Sequence, residues 1–213
     1  MNPRRLSRQP APVRGVAALA WGISASLLAG TMPAANAQTP IPSRELTGVF
    51  AYFDAKVTLG DFRGRATTGT GRLSGGARLA DIGGWIEIRV EDITTGNGRR
   101  DRHMRERLEI QRFPTFRMEV TGVRADSLIG DTTVVTLTGT LELHGIANEI
   151  SVPGRVYWDR GGAHVWTEFR LDIRDYDLKR PSTFLGLIKM DPVILVGIEA
   201  IFGLPATAGT PQS

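Results

Sequence analysis

Polar side chains that could do chemistry are concentrated in the middle of the chain, in the stretch DITTGNGRRDRHMRERLEIQRFPTF at residues 92–116. Six of these residues are arginines, and such a run usually forms a solvated helix face. In the alternative interpretation, Arg100 and Arg105 bind a pyrophosphate or quinone headgroup through forked hydrogen bonds. Asp101 could equally stabilise a helix N-terminus, and Asn97 with the glycine after it is typical of a turn.

The three histidines, His103, His144 and His164, lie in separate segments of the sequence. No H-x-H or H-E-x-x-H motif occurs, and the absence of cysteine removes thiolate ligands, a thiol nucleophile and disulfides. The glycine-rich stretch GTGRLSGG lacks the lysine of a phosphate-binding loop, and there is no G-x-S-x-G motif. The sequence therefore predicts no metal site and no catalytic residue.

The N-terminal residues are predicted to form a signal peptide, residues 1–37. Residues 1–14 contain four arginines and no acid, an apolar run follows at residues 15–30, and Ala35-Asn36-Ala37 fits the small-x-small cleavage pattern. Cleavage near Ala37 would leave a mature chain that begins at Gln38 and is periplasmic or secreted. Removing those four arginines from the 26 basic residues leaves 22, which equals the 22 acidic residues. This neutral balance argues against nucleic acid as a partner.

The remainder is predicted to be one domain at residues 45–204, with a flexible lead-in at 38–44 and a C-terminal tail at 205–213. Almost every segment of the domain alternates apolar and polar residues with period two, which is typical of antiparallel strands with one dry face. Seven or eight such strands must stack as a sandwich or close as a barrel, and periodicity does not choose between them. One helix is predicted, at residues 100–109, with Met104 and Leu108 on one face.

Three segments carry a resemblance to a known family. DITTGNGRRDRHMR at residues 92–105, RFPTFRMEV at 112–120 and LTGTLELHGIANEISVP at 137–153 resemble, in order, the motifs of YceI-like lipid- and polyisoprenoid-binding proteins. The chain lacks the Asp-Pro-x-His segment that usually opens the family, and RLEIQ at residues 107–111 replaces its acidic-aromatic run. The resemblance implies an all-β, lipocalin-like, eight-stranded antiparallel β-barrel with one short helix near the mouth. Such a barrel would hold a long isoprenoid chain without catalysis.

The resemblance also implies which residues form the site. The alternating apolar positions would become the cavity wall, and residues 182–192 would form an apolar flap over one end or a surface that contacts membrane. The predicted wall is Phe53, Val57, Ile86, Ile88, Val90, Phe116, Met118, Leu141, Leu143, Phe169, Leu171, Leu185 and Leu187. The predicted headgroup residues at the mouth are Asn97, Arg100, Asp101, His103, Arg105 and His144.

These expectations define one main function and two rivals. The main one is a monomeric or weakly dimeric carrier that binds a hydrophobic small molecule or lipid, touches a membrane surface transiently and uses no cofactor beyond that lipid. The first rival is an exported enzyme that uses His103 or His144 beside a carboxylate at the barrel mouth. The second rival is a ligand-free structural or stress protein, which requires an interior filled by its own side chains.

Overall fold

The computed structural model of this 213-residue chain describes residues 40–58, 60–178, 182–183 and 188–203. The predicted signal peptide at 1–37, the start of the lead-in and the C-terminal tail lie outside the described residues, as do Leu185 and Leu187 of the predicted wall. Among the described residues, no helix combines the length and the apolar character needed to cross a membrane.

Strands make up most of the described chain, and one α-helix interrupts them. The strands are β1 (Arg44–Ala55), β2 (Phe62–Ala66), β3 (Thr70–Ser74), β4 (Gly83–Arg89), β5 (Thr115–Ile129), β6 (Thr132–Leu143), β7 (Ile146–Trp158), β8 (Gly162–Asp172), β9 (Ser182–Thr183), β10 (Ile188–Lys189) and β11 (Val193–Gly203). The helix is α1 (Gly98–Arg107). Short 3₁₀ turns lie at Leu79–Asp81, Val90–Asp92 and Ile173–Tyr176.

The main sheet closes on itself. Its antiparallel order is β11-β8-β7-β6-β5-β4-β3-β1-β2, and β11 also pairs with β1 from Glu45↔Gly203 to Asp54↔Leu195. Because β2 pairs with the second half of β1 and β3 with its start, the two short strands together act as one interrupted strand. The result is the predicted eight-stranded antiparallel barrel, and the sandwich alternative is wrong.

Two successive residues of β1 show how the closing seam is packed on both faces. The ring of Phe53 points inward over Gly64 of β2, where an added Cβ would come within 2.2 Å of the ring. The ring of Tyr52 points outward over Gly197 of β11, where the same distance applies. The Tyr52 hydroxyl donates to the carboxylate of Glu168 on β8, and this bond raises the pKa of Tyr52 to about 12. Phe53 therefore contacts β2 on the inner face, and Tyr52 contacts β11 and β8 on the outer face.

Turn and capping chemistry explains where the elements end. The β6–β7 connection consists of His144 and Gly145 alone, both at positive φ (53° and 74°). The helix starts two residues earlier than predicted because the Asn97 side chain accepts hydrogen bonds from the amides of Arg99 and Arg100, both at 3.1 Å. It ends two residues earlier than predicted, and Glu109 then adopts a left-handed conformation with φ 47°.

A glycine in β6 offers a test of the sheet geometry. A Cβ on Gly139 would lie 1.8 Å from the carbonyl oxygen of Glu119 in β5, so Gly139→Ala must disrupt the β5–β6 pairing. We expect the free energy of unfolding in urea to fall by at least ~2 kcal/mol. Gly98→Ala is the matched control, because nothing lies within 4 Å of the new Cβ in the first turn of α1. It should be neutral or stabilising by up to ~1 kcal/mol, and equal losses in both variants would contradict the packing described.

Candidate functional site

A cavity of about 500 Å³ occupies the half of the barrel that adjoins α1. Its wall is built mainly from inward-facing apolar side chains of β1, β2, β5, β6, β8 and β11. The apolar residues that line it include Ala51, Phe53, Phe62, Ala66, Phe116, Leu141, Leu143, Phe169, Leu171, Ile194, Val196 and Ile198. A volume of this size lies within the ~300–1,000 Å³ range of small-molecule sites.

Side-chain size contributes to the position of the cavity. Among the inward residues of β1 and β2, Ala51 and Ala66 are small, whereas Phe53 and Phe62 form part of the wall and the Phe53 ring occupies the space at Gly64. In the opposite half, larger inward residues such as Leu137, Trp158 and Phe202 pack together. A cavity of about 70 Å³ lies among them. The solid interior required by the ligand-free alternative is therefore absent from the half beside α1.

Helix α1 covers the mouth with two rows of side chains spaced four residues apart. Arg100, Met104 and Leu108, which follows the last helical turn, form a half-buried row that lines the cavity. A second row, Arg99, His103 and Arg107, also lines the cavity but is exposed to solvent. Since residues i and i+4 lie on one helix face, the two rows run side by side along the rim. The cavity therefore reaches the surface beneath a cationic edge.

Arg100 is the most firmly held of these cations. Its Nε donates to Thr95 Oγ1 at 2.9 Å and its Nη2 donates to the Thr95 carbonyl at 3.0 Å. The guanidinium also lies 4.3 Å from the ring centroid of Phe62, a cation–π distance. Phe62 in turn makes an edge contact with Phe53. A charged group thus borders the apolar wall directly, with part of its hydrogen-bonding capacity already used by the loop before α1.

Asp101 has a structural role beside the cavity and does not line it. The side chain is buried and accepts hydrogen bonds from the amide and hydroxyl of Thr95 and from the hydroxyl of Thr94. Burial alone would raise the pKa of Asp101, but these hydrogen bonds outweigh it and hold the pKa below its usual value. Asp101 therefore fastens the Thr94–Thr95 loop to the helix as an anion.

The structure does not bring Arg105 to the cavity beside Arg100, as the predicted headgroup site requires. Arg105 is not a lining residue and donates from Nη2 to the Glu91 carbonyl at 2.9 Å, while its buried Nε has no hydrogen-bond partner among the described residues. The physical reason is helical geometry, because five residues correspond to a rotation of about 500°, which places the two side chains about 140° apart. Arg99 and Arg107 lie beside Arg100 at the mouth instead.

The histidines do not meet one another. His103 lines the cavity, whereas His144 lies in the β6–β7 turn, where its Nδ1 is 3.1 Å from the Tyr176 carbonyl oxygen and its Nε2 is 3.6 Å from Glu109 Oε1. His144, predicted at the mouth, is not among the residues that line the cavity, and its ring packs against Phe113 instead. In the part of the chain that the structure describes, no carboxylate side chain lines the cavity and no cluster of three or more His, Asp or Glu could hold a metal.

The predicted wall residues that the structure describes fall into three groups. Those that line the main cavity are Phe53, Val57, Phe116, Leu141, Leu143, Phe169 and Leu171. Ile86 and Met118 line the small cavity at the opposite end instead. Ile88 and Val90 are both buried, at about 1% exposure, and line neither cavity. Val90 lies in the 3₁₀ turn that follows β4.

Sequence reasoning missed several lining residues. Ile194, Val196 and Ile198 alternate along β11 and could have been assigned from period two, just as Met104 and Leu108 could from helical spacing. Leu178 and Met190 lie between strands, and Val57 pairs with Met190 through an isolated bridge. No periodic signal marks such residues, so only the tertiary structure reveals them.

Comparison with known proteins agrees with this architecture. The family profile of the YceI-like domain matches residues 36–200. The chain belongs to the YceI-like family. Among solved structures, a polyisoprenoid binding domain from Saccharophagus degradans, implicated in plant cell wall breakdown, superposes with a TM-score of 0.62 at 18% identity over 78% of this chain and 99% of that chain.

Two further structures share the YceI-like fold. BcnA from Burkholderia cenocepacia gives a TM-score of 0.60 at 11% identity, covering 72% of this chain and 95% of its own. A mutant YCEI protein from Campylobacter jejuni gives 0.51 at 14% identity, covering 65% and 83%. No curated protein matches this sequence. At these identities the structural likeness establishes the fold alone.

The Asp101 network generates a pH-dependent prediction. A carboxyl whose pKa is lowered by folding contributes stability above its unfolded value, about 3.9, and loses that contribution as pH falls through the lower folded value. Asp101→Asn should therefore reduce the free energy of unfolding by ~1–2 kcal/mol at neutral pH, and the difference from the parent should shrink below about pH 4. Glu106→Gln, an exposed acid on the same helix, serves as the control in denaturant titrations. A deficit that stays constant down to pH ~2 would show that charge is not the cause.

Proposed function

We propose that this YceI-like protein binds a long-chain isoprenoid, or a similar amphiphilic lipid, inside its barrel and carries it without catalysis. The apolar cavity of about 500 Å³ beneath α1 is the observation that supports the proposal most directly. A relative of the same fold is a polyisoprenoid binding domain, which is consistent with it. The predicted signal peptide at residues 1–37 supports a periplasmic or secreted location.

The size of the cavity matches a substantial apolar chain. If a methylene group occupies about as much space as a water molecule in the liquid, ~30 Å³, the cavity holds on the order of 15 such groups. Each methylene transferred from water contributes ~0.8 kcal/mol, so the tail dominates affinity. A lipid taken from a bilayer is already out of water, however, and most of that gain cancels. The protein therefore exchanges its cargo with membranes as a carrier and does not hold it irreversibly.

In this proposal, the segment at residues 188–191 beside the mouth touches a membrane surface transiently. Two backbone hydrogen bonds hold it against the end of β1, from Thr58 N to the Lys189 carbonyl at 3.1 Å and from Asp191 N to the Lys56 carbonyl at 2.8 Å. Met190 extends the apolar wall from this segment. The chain acts as a monomer or weak homodimer in this proposal, because one barrel contains the whole cavity.

Neighbouring residues of β6 provide a test of lipid binding. Leu141 points into the cavity and Glu142 points to solvent, so Leu141→Trp should block the tail site while Glu142→Trp leaves it unchanged. We expect the parent protein to yield a co-purified lipid on organic extraction and mass spectrometry, and Leu141→Trp to retain at least ~10-fold less, the equivalent of ~1.4 kcal/mol.

Far- and near-ultraviolet circular dichroism would verify that both tryptophan variants keep the native fold. A parent protein that carries no hydrophobic molecule and fails to bind added isoprenoids would refute the proposed function. Equal lipid retention in the two variants would show that the cargo lies elsewhere.

The location has its own test. Expression of the full chain in a Gram-negative host, followed by fractionation and N-terminal sequencing, should recover a periplasmic or secreted protein that begins at or near Gln38. Ala35→Arg and Ala37→Arg together should block processing, because the cleavage site requires small residues. An uncleaved cytoplasmic parent protein would contradict the proposed location.

A further inference from the structure

The charges that line the cavity are all of one sign. Arg99, Arg100 and Arg107 contribute to its lining together with His103, whereas none of its lining residues is acidic. None of these three arginines lies within ion-pair distance of an Asp or Glu side chain. Because all 22 Asp and Glu residues are among the described residues, the undescribed segments contain no acidic side chain that could neutralise the mouth.

Elsewhere on the barrel, many arginines do have acidic partners. Arg63 binds Asp54 with a separation of 2.7 Å, and Arg112 binds Glu109 with the same separation. The arginines paired in this way are Arg63, Arg72, Arg78, Arg89, Arg112, Arg117, Arg124 and Arg174. The distinctive feature of the mouth is therefore that its lining contains cations and no acid, in a chain whose predicted mature form is neutral.

This arrangement is unfavourable for the helix itself. Arg99 and Arg100 lie in the first turn of α1, where the partial positive charge of the helix N-terminus disfavours cations. Arg99 and Arg107 flank His103 at spacings of four, so this row contains no acid that could form a stabilising i,i+4 pair. Local rules are broken in this way most often at functional sites, where a ligand supplies the missing partner.

We infer that the mouth selects amphiphiles with an anionic headgroup, a phosphate or a carboxylate, over neutral lipids with the same tail. This inference rests on the proposed function, because the cavity must hold the tail. In this inference, the exposed row of Arg99, His103 and Arg107 faces the headgroup. Arg100, in the half-buried row, contacts the polar atoms that join the headgroup to the tail. Guanidinium groups suit this task because they bind phosphate and carboxylate oxygens through paired hydrogen bonds.

The test uses three ligands with one tail. Farnesol, farnesoic acid and farnesyl monophosphate each carry a chain of a size that the cavity can hold, and their affinities are measured by isothermal titration calorimetry on the mature protein. We expect the two anions to bind at least ~10-fold more tightly than the alcohol. Raising the salt concentration from ~0.05 to ~0.5 M should weaken the anions severalfold and leave farnesol unchanged, because exposed charges are screened.

Two double variants separate the effect of the arginines at the mouth from the effect of the protein's net charge. Arg99→Gln with Arg107→Gln removes two exposed cations from the rim, and the preference for the anions should fall to about threefold or less. Arg102→Gln with Arg160→Gln removes the same charge from exposed positions that do not line the cavity, and the preference should persist. Farnesol affinity should be unchanged in the Arg102→Gln, Arg160→Gln variant, and near-ultraviolet circular dichroism verifies that both variants remain folded.

Each remaining outcome would overturn the inference in a distinguishable way. Equal binding of alcohol and anions by the parent protein would refute it and leave the proposed function intact, whereas failure of all three ligands to bind would refute both. Inorganic phosphate that binds as tightly as farnesyl monophosphate would indicate a site for the free anion. If the rim variant lost binding to phosphatidylglycerol vesicles but kept its ligand preference, the row would belong to membrane contact instead.

Discussion

The pairing of β1 with β11 is the constraint on which the rest of this structure depends. This pairing closes the barrel, so that each of its strands directs one face toward a common interior. At the seam, Tyr52 and Phe53 point to opposite faces, and each ring lies over a glycine of an adjacent strand. A larger residue at Gly64 or Gly197 would occupy the space of these rings, so the seam depends on glycine at both positions.

Once the ring is closed, the volume of the interior is set by geometry, and side-chain size decides how much of it is filled. The half that contains Leu137, Trp158 and Phe202 is nearly filled. The half that contains Ala51 and Ala66 is not. A cavity of this kind sacrifices packing energy, since its lining lacks contacts on one side. An apolar ligand restores those contacts, which is the physical basis for a carrier.

Helix α1 connects this apolar interior to water. Its inner row continues the wall through Met104 and Leu108, and its outer row presents cations to solvent. Asn97 and Asp101 hold the helix in this orientation, the first as its cap and the second through the hydroxyl and amide groups of the preceding loop. Within this sequence motif, Asp101 is therefore structural, Arg99, Arg100, His103 and Arg107 line the mouth, and Asn97 does both.

The sequence by itself determined the alternation of the strands, the helix with Met104 and Leu108 on one side and the family to which the chain belongs. These are local properties, readable from spacing and from contiguous motifs. The family resemblance also implied a closed barrel with a cavity, which strand periodicity had left open, but only the tertiary structure decided that the cavity lies under α1 and that Ile86, Ile88, Val90 and Met118 lie away from it. It also separated Arg105 and His144 from the mouth and placed Arg99 and Arg107 there. The reason is that a cavity and an uncompensated charge are properties of how distant segments fill a shared space, and neither leaves a periodic trace along the chain.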